Sequence, residues 1–142
     1  VVFQLDAILP EADFISIGTN DLAQFMFACD RTNNRLAERY DVLSVPFLRI
    51  LQEIVNMANS AGVFCSVCGE MASNPIEAMV LLGLGYRNLS ISGASFAKVK
   101  KMIRSINTEE LEDYINILLD YNQRTLRPQL IAYAYDHAID IF

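Results

Sequence analysis

The sequence predicts an α/β fold with parallel strands, and two observations support that prediction. Three short apolar runs typical of β-strands recur along the chain, and each is followed by a polar loop and then by a helical pattern. Parallel neighbouring strands require a crossover connection, and a helix occupies each crossover position here. Periodicity alone leaves an open doubly wound sheet and a barrel as alternatives. In both, ligands bind beyond the carboxyl ends of the strands.

The first unit begins with a compact β-prone run, FISI at residues 14–17. The loop GTND at residues 18–21 follows, and its Asn or Asp is expected to cap the next helix. Further along, apolar residues at intervals of three and four predict a helix over residues 47–61, and Gly62 stands where a left-handed C-terminal cap belongs.

The second and third units repeat this order. Residues 63–67 are predicted to form a strand that runs into the loop CGE, and a helix is expected from about Asn74, with Pro75 in its first turn. Residues 88–92 are predicted as the third strand, and residues 96–106 as the helix after it.

Two further helices complete the prediction. The run TEE at residues 108–110 is typical of a capping box at a helix start. A last helical stretch is expected from about Arg127 towards Asp140.

Composition bounds the class of protein. The 142 residues fit one domain, and a hydrophobic fraction of 53% is enough for a sizeable core. No run approaches the roughly 20 apolar residues of a membrane span, so we expect no membrane partner. A net charge of −6 and the lack of a cluster of basic residues interleaved with aromatic ones argue against nucleic acid as a partner. Three cysteines do not suggest a disulfide framework, which favours reduced thiols and a cytoplasmic location.

The first residues also carry information. The chain starts inside an apolar segment, Val1-Val2-Phe3, with no initiator Met and no polar lead-in. We therefore expect it to be a piece cut from a longer protein.

Two polar loops contain candidate binding residues. At the start of a helix, Asn20 and the loop amides could hold an anion while Asp21 binds a divalent ion, although Asp21 could equally be a plain helix cap. Arg31 lies ten residues after Asp21 and could bind phosphate or carboxylate in bidentate fashion, or be an ordinary solvated arginine.

The run CSVC at residues 65–68 matches the C-x-x-C pattern, which is found in redox-active cysteine pairs and in zinc sites. A structural zinc site needs four ligands, and the remaining Cys and the single His137 are distant in sequence. Residues three apart on a strand face opposite sides, so Cys65 is expected in the core. Cys68 stands at the strand end, where a protonated thiol could act as an acid.

Taken together, these loops resemble those of a known family. SIGTNDL at residues 16–22, DR at residues 30–31 and SVCGE at residues 66–70 look like the loops of the phosphoenolpyruvate-utilising enzymes. That family includes enzyme I of the sugar phosphotransferase system, pyruvate phosphate dikinase and phosphoenolpyruvate synthase. The run CDRTNN at residues 29–34 is closer to enzyme I, and residues 35–51 are most similar to its nitrogen-related branch.

The resemblance implies a fold and a set of roles. The chain, residues 1–142, would be the C-terminal part of a phosphoenolpyruvate-binding (β/α)8 TIM barrel. Asn20 would hold the substrate phosphate, Asp21 would bind Mg²⁺, and Arg31 would grip the phosphate. Cys68 would be the catalytic acid that converts pyruvate enolate into pyruvate. These roles agree with the chemistry of phosphoryl transfer followed by general acid catalysis.

The resemblance also implies partners and missing parts. Phosphoenolpyruvate would phosphorylate a histidine on a mobile domain, and a histidine phosphocarrier protein would then accept the phosphoryl group. The family's second magnesium carboxylate, further arginines and the phosphohistidine domain would lie before Val1, so we expect the chain alone to be inactive.

Three alternatives remain open at this point. The chain could be a non-catalytic module that forms homodimers, because part of a barrel leaves an unpaired strand edge. It could also belong to a relative of the dikinase or synthase type, or be a thiol-redox protein that uses Cys65 and Cys68.

Overall fold

A computed structural model describes residues 2–29 and 40–142 of the chain. It is a mixed α/β structure in which three parallel strands, in the order β1-β2-β3, are flanked by helices. In the described ranges the strands are β1 (Phe14–Gly18), β2 (Phe64–Cys68) and β3 (Leu89–Ser90). The helices are α1 (Leu5–Ile8), α2 (Thr19–Phe27), α3 (Val45–Ala61), α4 (Glu70–Ser73), α5 (Pro75–Gly83), α6 (Phe96–Ile103), α7 (Thr108–Leu119) and α8 (Arg127–Asp136). Short 3-10 helices cover Val2–Gln4, Leu9–Glu11 and Gly93–Ser95. The predicted α/β class with parallel strands and flanking helices is confirmed, and the arrangement is consistent with part of a barrel.

The sheet is well paired on one side and short on the other. β1 and β2 are in register over five residues, from Phe14 opposite Phe64 to Gly18 opposite Cys68. β3 pairs through Leu89 and Ser90 alone, so the predicted strand over residues 88–92 is too long. After Ser90 the chain leaves the sheet and soon enters the 3-10 helix Gly93–Ser95.

The long helix α3 forms much of the core. Pro46 lies in its first turn, where the missing N–H costs no hydrogen bond. The helix ends at Gly62, whose φ of 69° is the left-handed conformation that glycine adopts without strain. The predicted end is confirmed, and the start lies two residues earlier than expected.

The ends of the other helices differ from the predictions in instructive ways. Asn107, and not Thr108, caps α7, because its side-chain oxygen accepts a hydrogen bond from the Glu109 amide at 3.2 Å. Asn74 caps α5 in the same way. α6 ends at Ile103 and α8 ends at Asp136, both earlier than predicted, since hydrophobic spacing locates a helix better than it locates its end.

One continuous apolar core lies between the sheet and the helices. α3 packs against β2 and α7, and α5 packs against α6 and α7. The phenol of Tyr86 is fully buried in this core, and its hydroxyl donates to the Leu51 carbonyl at 2.8 Å. Within the described ranges, no helix has both the length and the apolar content that a membrane span requires.

Candidate functional site

The parallel register of β1 and β2 places two predicted functional loops side by side. Gly18 is opposite Cys68, so both strands end at the same level and their loops leave the sheet together. α2 begins directly after Gly18, and α4 begins directly after Gly69. We refer to the six residues at this edge as the strand-end rim. They are Gly18, Thr19, Asn20, Cys68, Gly69 and Glu70.

The thiol of Cys68 is half-buried at the rim. Its Sγ lies 3.5 Å from the Ile17 carbonyl oxygen, to which it can donate, and 3.9 Å from the Ser16 hydroxyl, which can donate to it. Cys65, three residues earlier, is buried on the other face of the strand, as predicted. Both cysteines are free thiols, and a single strand holds them on opposite faces, which counts against a redox pair.

The polar residues after β1 reach across to the neighbouring strand. The Thr19 hydroxyl is buried and donates to the Cys68 carbonyl at 3.0 Å, while the Asn20 side-chain oxygen accepts from the Glu70 amide at 3.3 Å. The expectation that Asn20 or Asp21 caps α2 is wrong, because both lie inside its first turn and the cap residue, Gly18, makes no side-chain bond. These side chains therefore join two loops, and Asn20 does not serve its own helix.

Gly69 makes this close approach possible. Its φ is 110°, which favours glycine, and a Cβ at this position would lie 2.7 Å from the Thr19 hydroxyl oxygen and 3.2 Å from the Asn20 side-chain oxygen. Any other residue would therefore push the two loops apart. The rim depends on both the backbone freedom and the small size of Gly69.

Asp21 is exposed in the first turn of α2, beside the rim. Within the described ranges, no group of three or more His, Cys, Asp or Glu residues could hold a metal ion together. Mg²⁺ commonly uses one or two carboxylates and completes its shell with water and substrate oxygens. Asp21 is an exposed carboxylate of the kind that this mode of binding uses, and the described residues form no all-protein cage around it.

Arg31, the predicted phosphate ligand, lies outside the described residues. The remaining predicted residues, Asn20, Asp21 and Cys68, all lie at or next to the carboxyl ends of β1 and β2.

A cleft opens next to the rim. Its volume is about 400 Å³, and Asn20 and Glu70 line one side of it. Three charged residues that the sequence analysis did not select also line it, namely Asp41, Glu77 and Arg127. The described residues thus place three charged side chains in the cleft beside the rim.

Asp41, Glu77 and Arg127 are joined by a compact set of charge-assisted hydrogen bonds, which we call the Arg127 network. The guanidinium of Arg127 binds both carboxylate oxygens of Asp41, at 2.8 and 2.7 Å, and one oxygen of Glu77, at 2.9 Å. The Thr125 hydroxyl donates to Asp41 at 2.7 Å. Nearby, the Leu126 amide donates to the Leu43 carbonyl at 2.9 Å, so α8 is tied to the segment before α3.

The two carboxylates of this network differ in their electrostatics. Burial alone would raise the pKa of Asp41, but hydrogen bonds from Arg127, the Leu43 amide and Thr125 together lower it. Burial raises the pKa of Glu77, because a single bond from Arg127 does not offset its desolvation. The hydrogen bonds to Asp41 raise the pKa of Arg127, which therefore remains charged.

One signal in the sequence could have identified Arg127. It is the first residue of a helix and precedes Pro128. A cation is unfavourable at a helix N-terminus, where the dipole is positive. Such an arginine therefore indicates a nearby carboxylate partner, here Asp41 and Glu77.

Comparison with known proteins identifies a family for this arrangement. Residues 1–108 match the family described as "PEP-utilising enzyme, PEP-binding domain". The match includes the whole strand-end rim and Asp21, and it ends before α8.

Three curated relatives are similar over most of the chain. It is 41% identical over 134 residues to the "Phosphoenolpyruvate-dependent phosphotransferase system" protein of Salmonella typhimurium, which covers 94% of this chain and 18% of that protein. The protein of the same name from Escherichia coli is 42% identical over 130 residues, covering 92% and 16%. The "Phosphoenolpyruvate-protein phosphotransferase" of Cupriavidus necator is 40% identical over 118 residues, covering 83% and 20%. The chain therefore spans a fifth or less of the length of each of these relatives.

Proposed function

The chain belongs to the family of phosphoenolpyruvate-binding domains of the PEP-utilising enzymes, and from that premise we propose that it supplies part of the substrate site of a phosphoenolpyruvate-protein phosphotransferase. The observation that carries the proposal is the convergence of Asn20, Asp21 and Cys68 at the ends of two paired strands. In the proposed reaction, the phosphoryl group leaves phosphoenolpyruvate for a histidine on another domain. It then passes to a histidine phosphocarrier protein.

The residues divide the work by position. Asn20 and the amides of its loop hold the phosphate, and Arg31 provides a cation for it. Asp21 holds Mg²⁺, which would neutralise charge on the phosphate oxygens. Cys68 lies next to Gly18 and Ser16, close enough to the loop to meet the three-carbon part of the substrate.

Proton transfer completes the reaction. Breaking the P–O bond leaves the enolate of pyruvate, while a new P–N bond forms on the histidine. The enolate takes the thiol proton of Cys68 at its terminal carbon, which gives pyruvate and a thiolate that regains a proton from water. The position of Sγ at the rim, half-buried and within reach of a hydroxyl and a carbonyl, supports this role.

Substitution of Cys68 tests the proposal in the full-length protein. We expect Cys68→Ala to lower pyruvate formation at least about 100-fold while phosphoenolpyruvate still binds, because general acid catalysis is typically worth that much. Cys65→Ala is the matched control, since it removes the same side chain from the buried face of the same strand. Its turnover should stay within about threefold of wild type. Undiminished turnover in Cys68→Ala would contradict the assignment.

Substitution of Asp21 tests the metal assignment separately. Asp21→Asn should raise the Mg²⁺ concentration needed for half-maximal activity by about tenfold or more, because it removes the one exposed carboxylate of this loop. Asp13→Asn, another exposed aspartate near β1, is the control. An equal Mg²⁺ requirement in both variants would rule out Asp21 as the ligand.

The finer assignments are part of the same proposal. We place the protein in the cytoplasm and in the nitrogen-related branch of enzyme I, on the resemblance of residues 35–51 to that branch. Incubating the phosphorylated protein with sugar-system and nitrogen-system phosphocarrier proteins tests the branch. Faster transfer to the sugar-system carrier would contradict it.

A second candidate function is homodimer formation through the open face of the sheet. Phe14 and Phe64 lie opposite each other in the register and are 64% and 54% exposed, which is unusual for neighbouring large aromatic residues. Sedimentation equilibrium at several concentrations tests this, with Phe64→Ser expected to weaken association. A wild-type chain that is monomeric at every concentration would exclude it.

A further inference from the structure

The Arg127 network offsets part of the negative charge in a cleft that is also lined by the proposed substrate loop. Asp41, Glu77 and Arg127 line this cleft together with Asn20 of the strand-end rim. Arg127 is the one basic residue among the described residues that line the cleft. A single guanidinium therefore offsets two carboxylates within hydrogen-bonding distance.

Loss of the Arg127 charge would be costly because the three side chains of the network are largely shielded from water. The side chains of Arg127, Asp41 and Glu77 are 34%, 22% and 12% exposed, so water screens them only in part. If the guanidinium were removed, Glu77 would lose the hydrogen bond it accepts from it and Asp41 would keep its bonds from Thr125 and the Leu43 amide, so both would line the cleft without that cation. The repulsion would act on any anion that binds at Asn20.

We propose that Arg127 is a positioning residue for phosphoenolpyruvate, which offsets part of the negative charge of Asp41 and Glu77 so that the cleft accepts a highly charged anion beside Asn20. This inference rests on the proposed function. Arg127 uses its Nε and Nη2 groups to bind the two carboxylates. In this proposal it acts through those carboxylates and not by contacting the substrate. The role assigns a function to the first residue of α8, which lies beyond the part of the chain that matches the family.

The geometry separates this role from simple helix docking. The Leu126–Leu43 backbone hydrogen bond and the apolar core residues Leu126 and Leu130 also hold α8 in place. Neutralising Arg127 should therefore leave α8 attached and change mainly the potential in the cleft. The affinity for an anion should respond more than the chemical step.

Steady-state kinetics of the full-length protein test the inference. Arg127→Gln should raise the KM for phosphoenolpyruvate about tenfold and change kcat less than about threefold. The ratio of variant to wild-type KM should fall towards one as salt rises from about 0.05 to 0.5 M, because ions weaken the repulsion between the cleft carboxylates and the incoming anion. Arg127→Lys keeps the charge and should restore most of the affinity.

Glu77→Gln is a second, independent variant, chosen because it works even if Arg127→Gln fails to fold. It removes one carboxylate and leaves Arg127 paired with Asp41. We expect its KM to fall about twofold or more, an effect that a merely structural role would not produce. The double variant Arg127→Gln/Glu77→Gln should recover part of the affinity lost in Arg127→Gln.

The outcomes distinguish the two proposals. A wild-type protein that does not use phosphoenolpyruvate overturns both the proposed function and this inference. An active wild-type protein with an unchanged KM in Arg127→Gln, or a KM ratio that does not depend on salt, overturns the inference alone. A higher KM in Glu77→Gln also overturns it.

Discussion

The two faces of the β1–β2 pair have opposite environments, although their residues alternate along the same strands. On one face, Cys65 and Val67 are buried against the helices, and Ile15 and Ile17 pack against the same core. The other face presents the exposed Phe14 and Phe64, then Ser16 beside Ser66, and finally Gly18 beside Cys68.

The difference teaches that one face supplies stability, while the other carries residues of the proposed site. The buried face provides the hydrophobic free energy that holds the strands in register. The open face becomes less apolar towards the carboxyl ends of the strands, where the Cys68 thiol lies. A single strand thus supplies a core cysteine and a rim cysteine only three residues apart.

Thiol labelling should give the largest contrast between the faces. At pH 8, iodoacetamide should modify Cys68 at least about 100-fold faster than Cys65 in the native chain. Cys65 is 7% exposed and burial raises its pKa to about 11, so roughly one thiol in a thousand is ionised at that pH. Peptide mass mapping over time gives the two rates, and Cys68→Ser should remove the fast one. Equal rates would mean that the two faces are equally accessible.

Truncation of one side chain on each face should give the next largest effect. Val67 is fully buried, so Val67→Ala should lower the free energy of unfolding by about 2 kcal/mol through lost burial and a cavity. Phe64→Ala removes more carbon atoms but from an exposed ring, and should cost less than about 1 kcal/mol. Urea denaturation followed by circular dichroism measures both. A larger cost for Phe64→Ala would show that the open face is covered in solution.

Gly69→Ala should have a moderate effect that is concentrated at the rim. The new Cβ would clash with Thr19 and require a strained backbone, so we expect a loss of about 1–2 kcal/mol in the free energy of unfolding. Gly93→Ala is the control, because nothing lies within 4 Å of its Cβ position. Its effect should stay within about 0.5 kcal/mol. Equal stability of the two variants would contradict the close approach of Gly69 to Thr19.

The smallest expected effect is a pH dependence that belongs to the buried face. The folded state raises the pKa of Cys65 from 9.0 to about 11, so the folded chain holds this proton more tightly than the unfolded chain. The corresponding stability is fully present below pH 9 and is lost as pH rises towards 11. Between pH 8.5 and 10, wild type should therefore lose about 1 kcal/mol more than Cys65→Ala. Parallel unfolding curves for the two proteins would show that Cys65 is not desolvated.

Local patterns predicted most of the fold because they report a local environment. The run FISI has the β-prone composition of β1, and the apolar spacing in residues 47–61 matches the buried stripe of α3. β3 was predicted too long, since its apolar residues look like a strand whether or not a neighbour pairs with them. The short helix α1 was missed because four residues make little more than one turn, which is too short for an apolar spacing to repeat.

The candidate site was predictable where it depends on strand order and not where it depends on packing. Once β1 and β2 are taken as parallel neighbours, Asn20, Asp21 and Cys68 must lie at one edge of the sheet. The contacts of Asp41 with Arg127 join residues 86 positions apart, and both types are usually solvated. No short-range spacing indicates such a pair.

The residues of the Arg127 network are synthesised at different times. Asp41 is added 86 residues before Arg127, and ribosomes extend chains at about 5–20 residues per second. Roughly 4 to 17 seconds therefore pass between the synthesis of Asp41 and that of Arg127. β1 and β2 are complete well before that moment. A nascent chain that pauses before residue 127 would contain β1, β2, Asp41 and Glu77 but not yet the arginine that pairs with the two acids.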